Sequence, residues 1–217
     1  MSKEVKILLG IAGAVIIGGV LLAIFANPQP KEPGAPVDKD SLVRENSHMT
    51  GSRDAKVTIV EFGDFQCPAC KAAQPEVKAI LDEYKDNPNF NFVFRNFPLD
   101  TIHPNAHVSA EAAEAAGAQG KYWEMNDMLY EKQSEWSTSL TPIDIFAGYA
   151  AELGLNVDQF KQAVQQRLYA DIINTDYKDG EAIGVNSTPT FFINGQKQNK
   201  VLNRTELKEL IEAELAK

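Results

Sequence analysis

The apolar positions of this chain fall into three regimes. From Ile7 to Ala26 the run is apolar without a single charge, preceded by Lys3 and Lys6 and closed by Asn27-Pro-Gln-Pro30. Roughly 20 such residues are what a helix needs to cross a bilayer. A stretch apolar on every side and followed by a Pro-rich spacer does not fit a buried core helix. A cleavable signal has a shorter apolar core and small residues at its cut site, whereas an end at Ala26 would put Ile24 at the −3 position. We therefore expect residues 7–26 to be an uncleaved transmembrane anchor. The lysines on its N-terminal side predict that residues 1–6 stay cytoplasmic. The rest of this single-pass cell-membrane protein would then lie on the extracytoplasmic side, where disulfides persist.

Residues 27–46 show no hydrophobic period. Pro28, Pro30, Pro33 and Pro36 are mixed with Lys, Glu, Gly and Asp, the composition of an extended, disordered tether. From 47 to 217 the pattern changes again, over a length that suits one globular domain. Val57–Phe62 alternates and carries β-formers, which predicts a strand. Pro68 to Tyr84 is helical, with Val77, Ile80, Leu81 and Tyr84 at helical spacing, and Asn87-Pro-Asn89 ends it. Phe90 to Phe97 reads as a second strand whose phenylalanines belong to the core and not to a base-stacking platform. Asn105 to Tyr130 is helical again, interrupted near Gly117–Gly120, with Tyr122, Trp123, Met125, Met128 and Leu129 as its apolar face. Pro142, after Thr141, opens another helix at a first-turn position, and Gly154-Leu-Asn156 separates it from one running from about Asp158. Gly184 to Gly195 gives a turn, a strand and a hairpin signal at Asn194-Gly195. Thr205 is expected to cap a last helix, Glu206 to Leu215. Asn186-Ser-Thr188 and Asn203-Arg-Thr205 match glycosylation sequons, matches too short to weigh.

Charge narrows the partners. The net charge is −9, and the basic footprint of a nucleic-acid binder is absent. Cysteine usage narrows the chemistry further, because the only two cysteines are Cys67 and Cys70 in Val57-Thr-Ile-Val-Glu-Phe-Gly-Asp-Phe-Gln-Cys67-Pro-Ala-Cys70. A zinc site would need a second Cys or His pair; the remaining candidates, His48, His103 and His107, are not spaced for one. A purely structural disulfide across so small a loop would stabilise little. Dithiol redox chemistry is the reading that remains. Pro68 suits the first helical position, so Cys67 stands at the helix start, facing unpaired N–H groups and the positive dipole end. That setting favours the thiolate, the attacking species. Cys70, one turn further in, would be more buried and would resolve a mixed disulfide at Cys67. Glu61, six residues before Cys67, is open to two readings, an exposed strand residue or a buried acid. Asp64, after Gly63, reads as a turn residue.

Glu61 through Cys70, with Ser187-Thr188-Pro189-Thr190-Phe191-Phe192 downstream and His103-Pro-Asn-Ala-His107 between, resembles the DsbA-like thiol–disulfide oxidoreductases of the thioredoxin superfamily over roughly residues 48–217. The resemblance implies an α/β thioredoxin-like fold, here preceded by one transmembrane helix. It also implies an inserted helical subdomain at about 103–178, covering the active-site helix. It assigns Glu61 as a buried acid that relays a proton to or from Cys70, its pKa raised by burial toward a working range. Pro189 is assigned a cis peptide bond after Thr188, packed against the disulfide, with Thr188 offering backbone N–H and C=O groups to an extended substrate. Pro68 and Ala69 tune the pair. The best-known oxidants carry Pro-His between the cysteines; Pro-Ala lacks that histidine, which predicts a less oxidising couple than the most extreme members.

The expected function is disulfide donation to cysteine-containing exported polypeptides, with no cofactor beyond the Cys67–Cys70 disulfide and no metal. Reoxidation by a quinone-linked membrane partner of the DsbB or vitamin K epoxide reductase type is implied by the resemblance alone. Two alternatives stand beside it. One is a reductase or isomerase on the same fold, although no added dimerisation domain is visible. The other is a tethered polypeptide-binding chaperone module whose cysteines are incidental.

Overall fold

The computed structural model describes residues 36–217. The expected cytoplasmic N-terminus at 1–6, the expected anchor at 7–26 and the first part of the expected tether lie outside the described residues. Among the described residues no helix is long and apolar enough to cross a membrane.

The order of elements is α1 (Lys39–Leu42), β1 (His48–Met49), β2 (Val57–Gly63), α2 (Pro68–Tyr84), β3 (Phe90–Asn96), α3 (Ala106–Gly117), α4 (Tyr122–Glu131), α5 (Gln133–Trp136), α6 (Pro142–Glu152), α7 (Val157–Gln165), α8 (Ala170–Ala182), β4 (Thr190–Ile193), β5 (Gln196–Lys197) and α9 (Arg204–Leu215). The five strands form one mixed sheet in the order β1-β3-β2-β4-β5. β2 and β3 run parallel, with Glu61 opposite Phe94 and Gly63 opposite Asn96, while β1, β4 and β5 pair antiparallel to their neighbours. β2 and β3 are buried at every position, as expected of central strands covered on both faces. Their alternation therefore divides two cores rather than core from solvent. Val57, Ile59, Phe92 and Phe94 face α2, α3 and α4, and Val60, Phe62, Val93 and Phe97 face the opposite cluster.

Six helices, α3 to α8, lie between β3 and β4, from Ala106 to Ala182, where the insertion was expected at about 103–178. α3 is its axis, packing against α4, α6, α7 and α8. Its buried alanines, Ala106, Ala110, Ala112, Ala113, Ala115 and Ala116, let those helices approach closely. The short helix α5 had no signal of its own.

Three expectations are corrected. The tether was expected to run to 46, but Asp38 caps α1 through its side chain, and Leu42 and Val43 are buried against the face of Val60, Phe62 and Val93. Those two apolar residues close the second face of the sheet; so short a segment shows no period in sequence. Arg44 then grips Asp179 of α8 with two hydrogen bonds of 2.8 Å. The last helix is capped by Asn203 and not Thr205, because Asn203 and Glu206 form a reciprocal capping box. Asn105, expected inside a helix, precedes it, and its side-chain amide donates instead to the carbonyls of Trp136, Ser137 and Ser139. The hairpin signal fits: Asn194 and Gly195 both have positive φ, 45° and 85°, the two-residue turn that suits strand twist.

Candidate active site

β2 leads to α2 through a tight turn, Asp64 to Cys67. Cys67 is the N-cap and Pro68 the first residue of α2, so the Cys67 sulfur looks along the helix axis at N–H groups without intrahelical partners. Both cysteines carry free thiols and both are buried, Cys67 at 6 % exposure and Cys70 at 0 %. Pro68 and Ala69 between them are exposed. Ala69 thus presents no polar side chain at the pair.

The two thiols are driven apart. Cys67 is drawn down from 9.0 to about 5, chiefly by the hydrogen bond from the Cys70 thiol, against the opposing effect of burial, and then by Thr188 and the backbone N–H groups of Cys70 and Ala69. Cys70 is pushed well above 9.0 by burial first, then by its hydrogen bond to Cys67 and by the charge on Glu61. Beneath them, Glu61 is 1 % exposed and is raised from 4.5 to about 8, by burial and then by the charge on Cys67. Of the two readings of Glu61, the structure takes the buried one.

The Thr188–Pro189 bond is cis. It brings Thr188 against the pair, where the Cys67 thiol donates to the Thr188 carbonyl at 3.4 Å. Cys67, Cys70, Glu61, Thr188 and Pro189, spread over 129 residues of sequence, therefore converge on one site.

Asp64 exceeds the expected turn role. One carboxylate oxygen accepts from Gln66 N at 2.8 Å, closing the turn, while the other takes the Leu99 N–H at 3.0 Å and meets His103 Nδ1 at 2.6 Å. Gln66 bridges to the insertion, accepting from Asn105 N at 2.6 Å and donating to the Ser137 carbonyl at 2.7 Å. Gln133 of α5 donates to the carbonyls of Phe65 and Cys67 at 2.7 and 3.1 Å. Gln66 and Asn105 lie within the stretches that carry the resemblance but were given no role of their own, and Gln133 leaves only a polar position between Leu129 and Trp136 as its trace.

A thioredoxin family model matches residues 43–213. The chain belongs to that family. A thioredoxin-like oxidoreductase from Silicibacter pomeroyi superimposes with a TM-score of 0.69 at 25 % identity, covering 83 % of this chain and 99 % of that one. Oxidised BdbD from Bacillus subtilis gives 0.72 at 23 % identity over 84 % and 97 % of the two chains. Alpha-DsbA1 from Wolbachia pipientis gives 0.71 at 21 %, over 81 % and 94 %. The fold is thus that of the DsbA-like thiol–disulfide oxidoreductases. In sequence, a Na(+)/H(+) antiporter NhaA 1 of Salinispora arenicola is 42 % identical over 168 residues, and one of Mycolicibacterium gilvum 32 % over 221. The chain spans 24 % and 34 % of the length of these two relatives.

Proposed function

We propose that this thioredoxin-family protein is a dithiol oxidant that passes its Cys67–Cys70 disulfide to cysteines of exported polypeptides. The observation that carries the reading is the opposed shift of the two thiols, Cys67 down to about 5 and Cys70 far up, at one helix start. A low-pKa Cys67 is a good leaving group, and it stabilises the reduced state, which makes the disulfide oxidising. The value lies between the ~3.5 of a strong oxidant and the ~7 of thioredoxin, in keeping with the missing inter-cysteine histidine.

In the first step a substrate thiolate attacks Cys67 Sγ. A substrate–Cys67 bond forms, the Cys67–Cys70 bond breaks, and Cys70 leaves as a thiolate that takes a proton from Glu61. A second substrate thiolate then attacks the substrate sulfur of the mixed disulfide and expels Cys67 as its stable thiolate. The substrate loses two electrons and the protein gains two. The Thr188 backbone beside Cys67 suits an extended segment. Ile102 and Leu140, 67 % and 98 % exposed, follow in sequence on the polar network around the turn and offer apolar contact to unfolded chain. Anchoring through residues 7–26, an extracytoplasmic site and a quinone-linked membrane reoxidant complete the proposal, supported by the hydropathy of residues 1–30 and by the resemblance to DsbA-like proteins. The antiporters' names speak for chains about three times longer than this one, and ion transport forms no part of it.

The test is equilibration of the protein in glutathione buffers. A potential well above thioredoxin's roughly −270 mV, toward the −120 mV of the strong oxidant, supports donation. A value at or below thioredoxin's makes the protein a reductase. Polypeptide holding retained by the double variant Cys67→Ala, Cys70→Ala, with no reversible couple in the parent, would leave only the binding module.

A further inference from the structure

Glu61 must exchange its proton with water, yet it is 1 % exposed and its Oε2 has no hydrogen-bond partner among the described residues. The sheet shows where the proton can go. His48, Phe94 and Glu61 occupy one row across β1, β3 and β2, in register and on one face. With strands ~4.8 Å apart, His48 stands about 10 Å from Glu61, with the Phe94 ring between them. One step along the strands the next row holds Gly63 opposite Asn96. Gly63 has no side chain, and a Cβ there would meet the Phe94 ring at 2.5 Å and stand 3.1 Å from the Tyr130 hydroxyl. The glycine thus makes room for the Phe94 ring and leaves the Tyr130 phenol close to the backbone two residues along from Glu61, on the same face. Tyr130 Oη and Asn96 Oδ1 are again buried without partners among the described residues.

Beyond Asn96 the polar contacts are direct. Asn96 Nδ2 donates to Glu114 Oε1 at 2.9 Å, and Glu114 Oε2 meets His48 Nε2 at 2.7 Å. The His48 side chain is 24 % exposed and reaches solvent. Its ring lies flat on Tyr122 at 3.4 Å, which holds it in line. The partnerless atoms therefore all fall on the inner half of the path, where buried polar groups take ordered water as their partners.

We propose that Tyr130, Asn96, Glu114 and His48 form, with intervening water, the route by which Glu61 exchanges protons with solvent. The proposal deepens and rests on the dithiol reading. Each proton given by Glu61 to the Cys70 thiolate is replaced from solvent at His48, handed to Glu114, and carried from there to Glu61 by water that Asn96 Oδ1 and the Tyr130 hydroxyl hold in place, since an amide orients water but does not itself pass the proton; reoxidation runs the sequence backwards. Imidazole is the side chain best suited to trade protons with water at neutral pH. The groups facing Glu61 are Cys67 and Cys70 of α2 and Tyr122 and Tyr130 of α4. Those facing Glu114 are His48, Asn96, Tyr122, and Tyr169 and Asp176 at and within α8. His48, Asn96, Glu114 and Tyr130 are positioning residues, since none touches the sulfurs.

The experiment is a photoinduced proton jump on the reduced full-length protein. It is followed in the infrared at the carboxylic C=O band that Glu61→Gln removes. His48→Gln keeps a hydrogen bond to Glu114 but cannot carry the proton, and Tyr130→Phe removes one hydroxyl. A route changes rates and not end points. Each variant is expected to slow protonation of Glu61 at least fivefold while the final amplitude and the glutathione equilibrium stay within twofold of the parent. Relaxation within twofold of the parent in either variant overturns the route, as does an altered equilibrium with an unaltered rate. A parent with no reversible glutathione exchange but with the two slowed relaxations would sink the dithiol reading and leave the route standing.

Discussion

Cys67 and Glu61 pull the stability of the reduced protein in opposite directions as pH changes. The thiol of Cys67 is lowered on folding, so its contribution is present above its unfolded value near 9.0 and is lost as pH falls through about 5. Glu61 is raised, so its contribution is complete below its unfolded value of 4.5 and is lost as pH rises through about 8. Glu61→Gln should therefore remove the fall and leave a rise in stability between pH 5 and 8. From pH 4 to pH 7 that rise is of order 2–3 kcal/mol at 1.36 kcal/mol per pKa unit. Urea midpoints of the reduced variant across this range check it; a flat profile would mean that the Cys67 thiolate is not stabilised. Alkylation offers an independent reading. Iodoacetamide should modify Cys67 with a midpoint near pH 5 and leave Cys70 untouched. Cys70→Ala should move that midpoint upward, because the Cys70 thiol is the largest cause of the shift.

At the scale of elements, the turn at Cys67 is held by the insertion and not by β2 and α2 alone. Gln133 of α5 supplies both side-chain hydrogen bonds to the carbonyls of Phe65 and Cys67. Gln133→Leu should cost about 1–3 kcal/mol, the penalty of leaving the buried Phe65 carbonyl without a donor while the Cys67 carbonyl keeps the Lys71 N–H, and should raise the alkylation midpoint by loosening the turn. Chemical denaturation and thiol titration on the same samples check both. A second junction joins β3 to α8 and α1. Arg95 is 0 % exposed and donates to Asp176, to Asp179 at 2.6 Å and to the Leu42 carbonyl at 2.9 Å. Burial holds Asp176 up at about 6 even with Arg95 beside it. Arg95→Met would leave buried carboxylate without its cation and should cost about 3–5 kcal/mol, a loss readable as a lowered urea midpoint. A loss below 1 kcal/mol would show that the cluster is solvated.

For the whole molecule, the two redox states should differ in stability. A thiolate stabilised only in the reduced protein makes that state the more stable one near neutrality, and the same difference drives disulfide transfer. Reduced protein is expected to unfold at higher urea than oxidised protein at pH 7, with the gap closing as pH falls through 5. Oxidised protein the more stable of the two at pH 7 would contradict the donor reading.

Much of this was legible in sequence for local reasons. Cys67-Pro-Ala-Cys70 ahead of a helical period, two apolar strands and the Asn194-Gly195 turn each declare themselves within a few residues, because propensity and hydrophobic period act locally. The separation of the two thiols was foreseeable from the helix start. What only tertiary structure decided were features made by residues far apart in the chain. Residues 37–43 look like linker because three apolar side chains, Val37, Leu42 and Val43, show no period, yet the open face of the sheet buries Leu42 and Val43. Asp64 looks like a turn residue until Leu99 and His103 arrive on its second oxygen. The burial of Glu61 was implied by the resemblance alone and not by its own strand pattern, because it comes from strands on either side and helices above. The Tyr130 hydroxyl and the Phe94 ring come close to Gly63 only because that residue is bare. Sequence determined which groups can do the chemistry; packing decided which of them lose water, and desolvation is what sets their proton affinities.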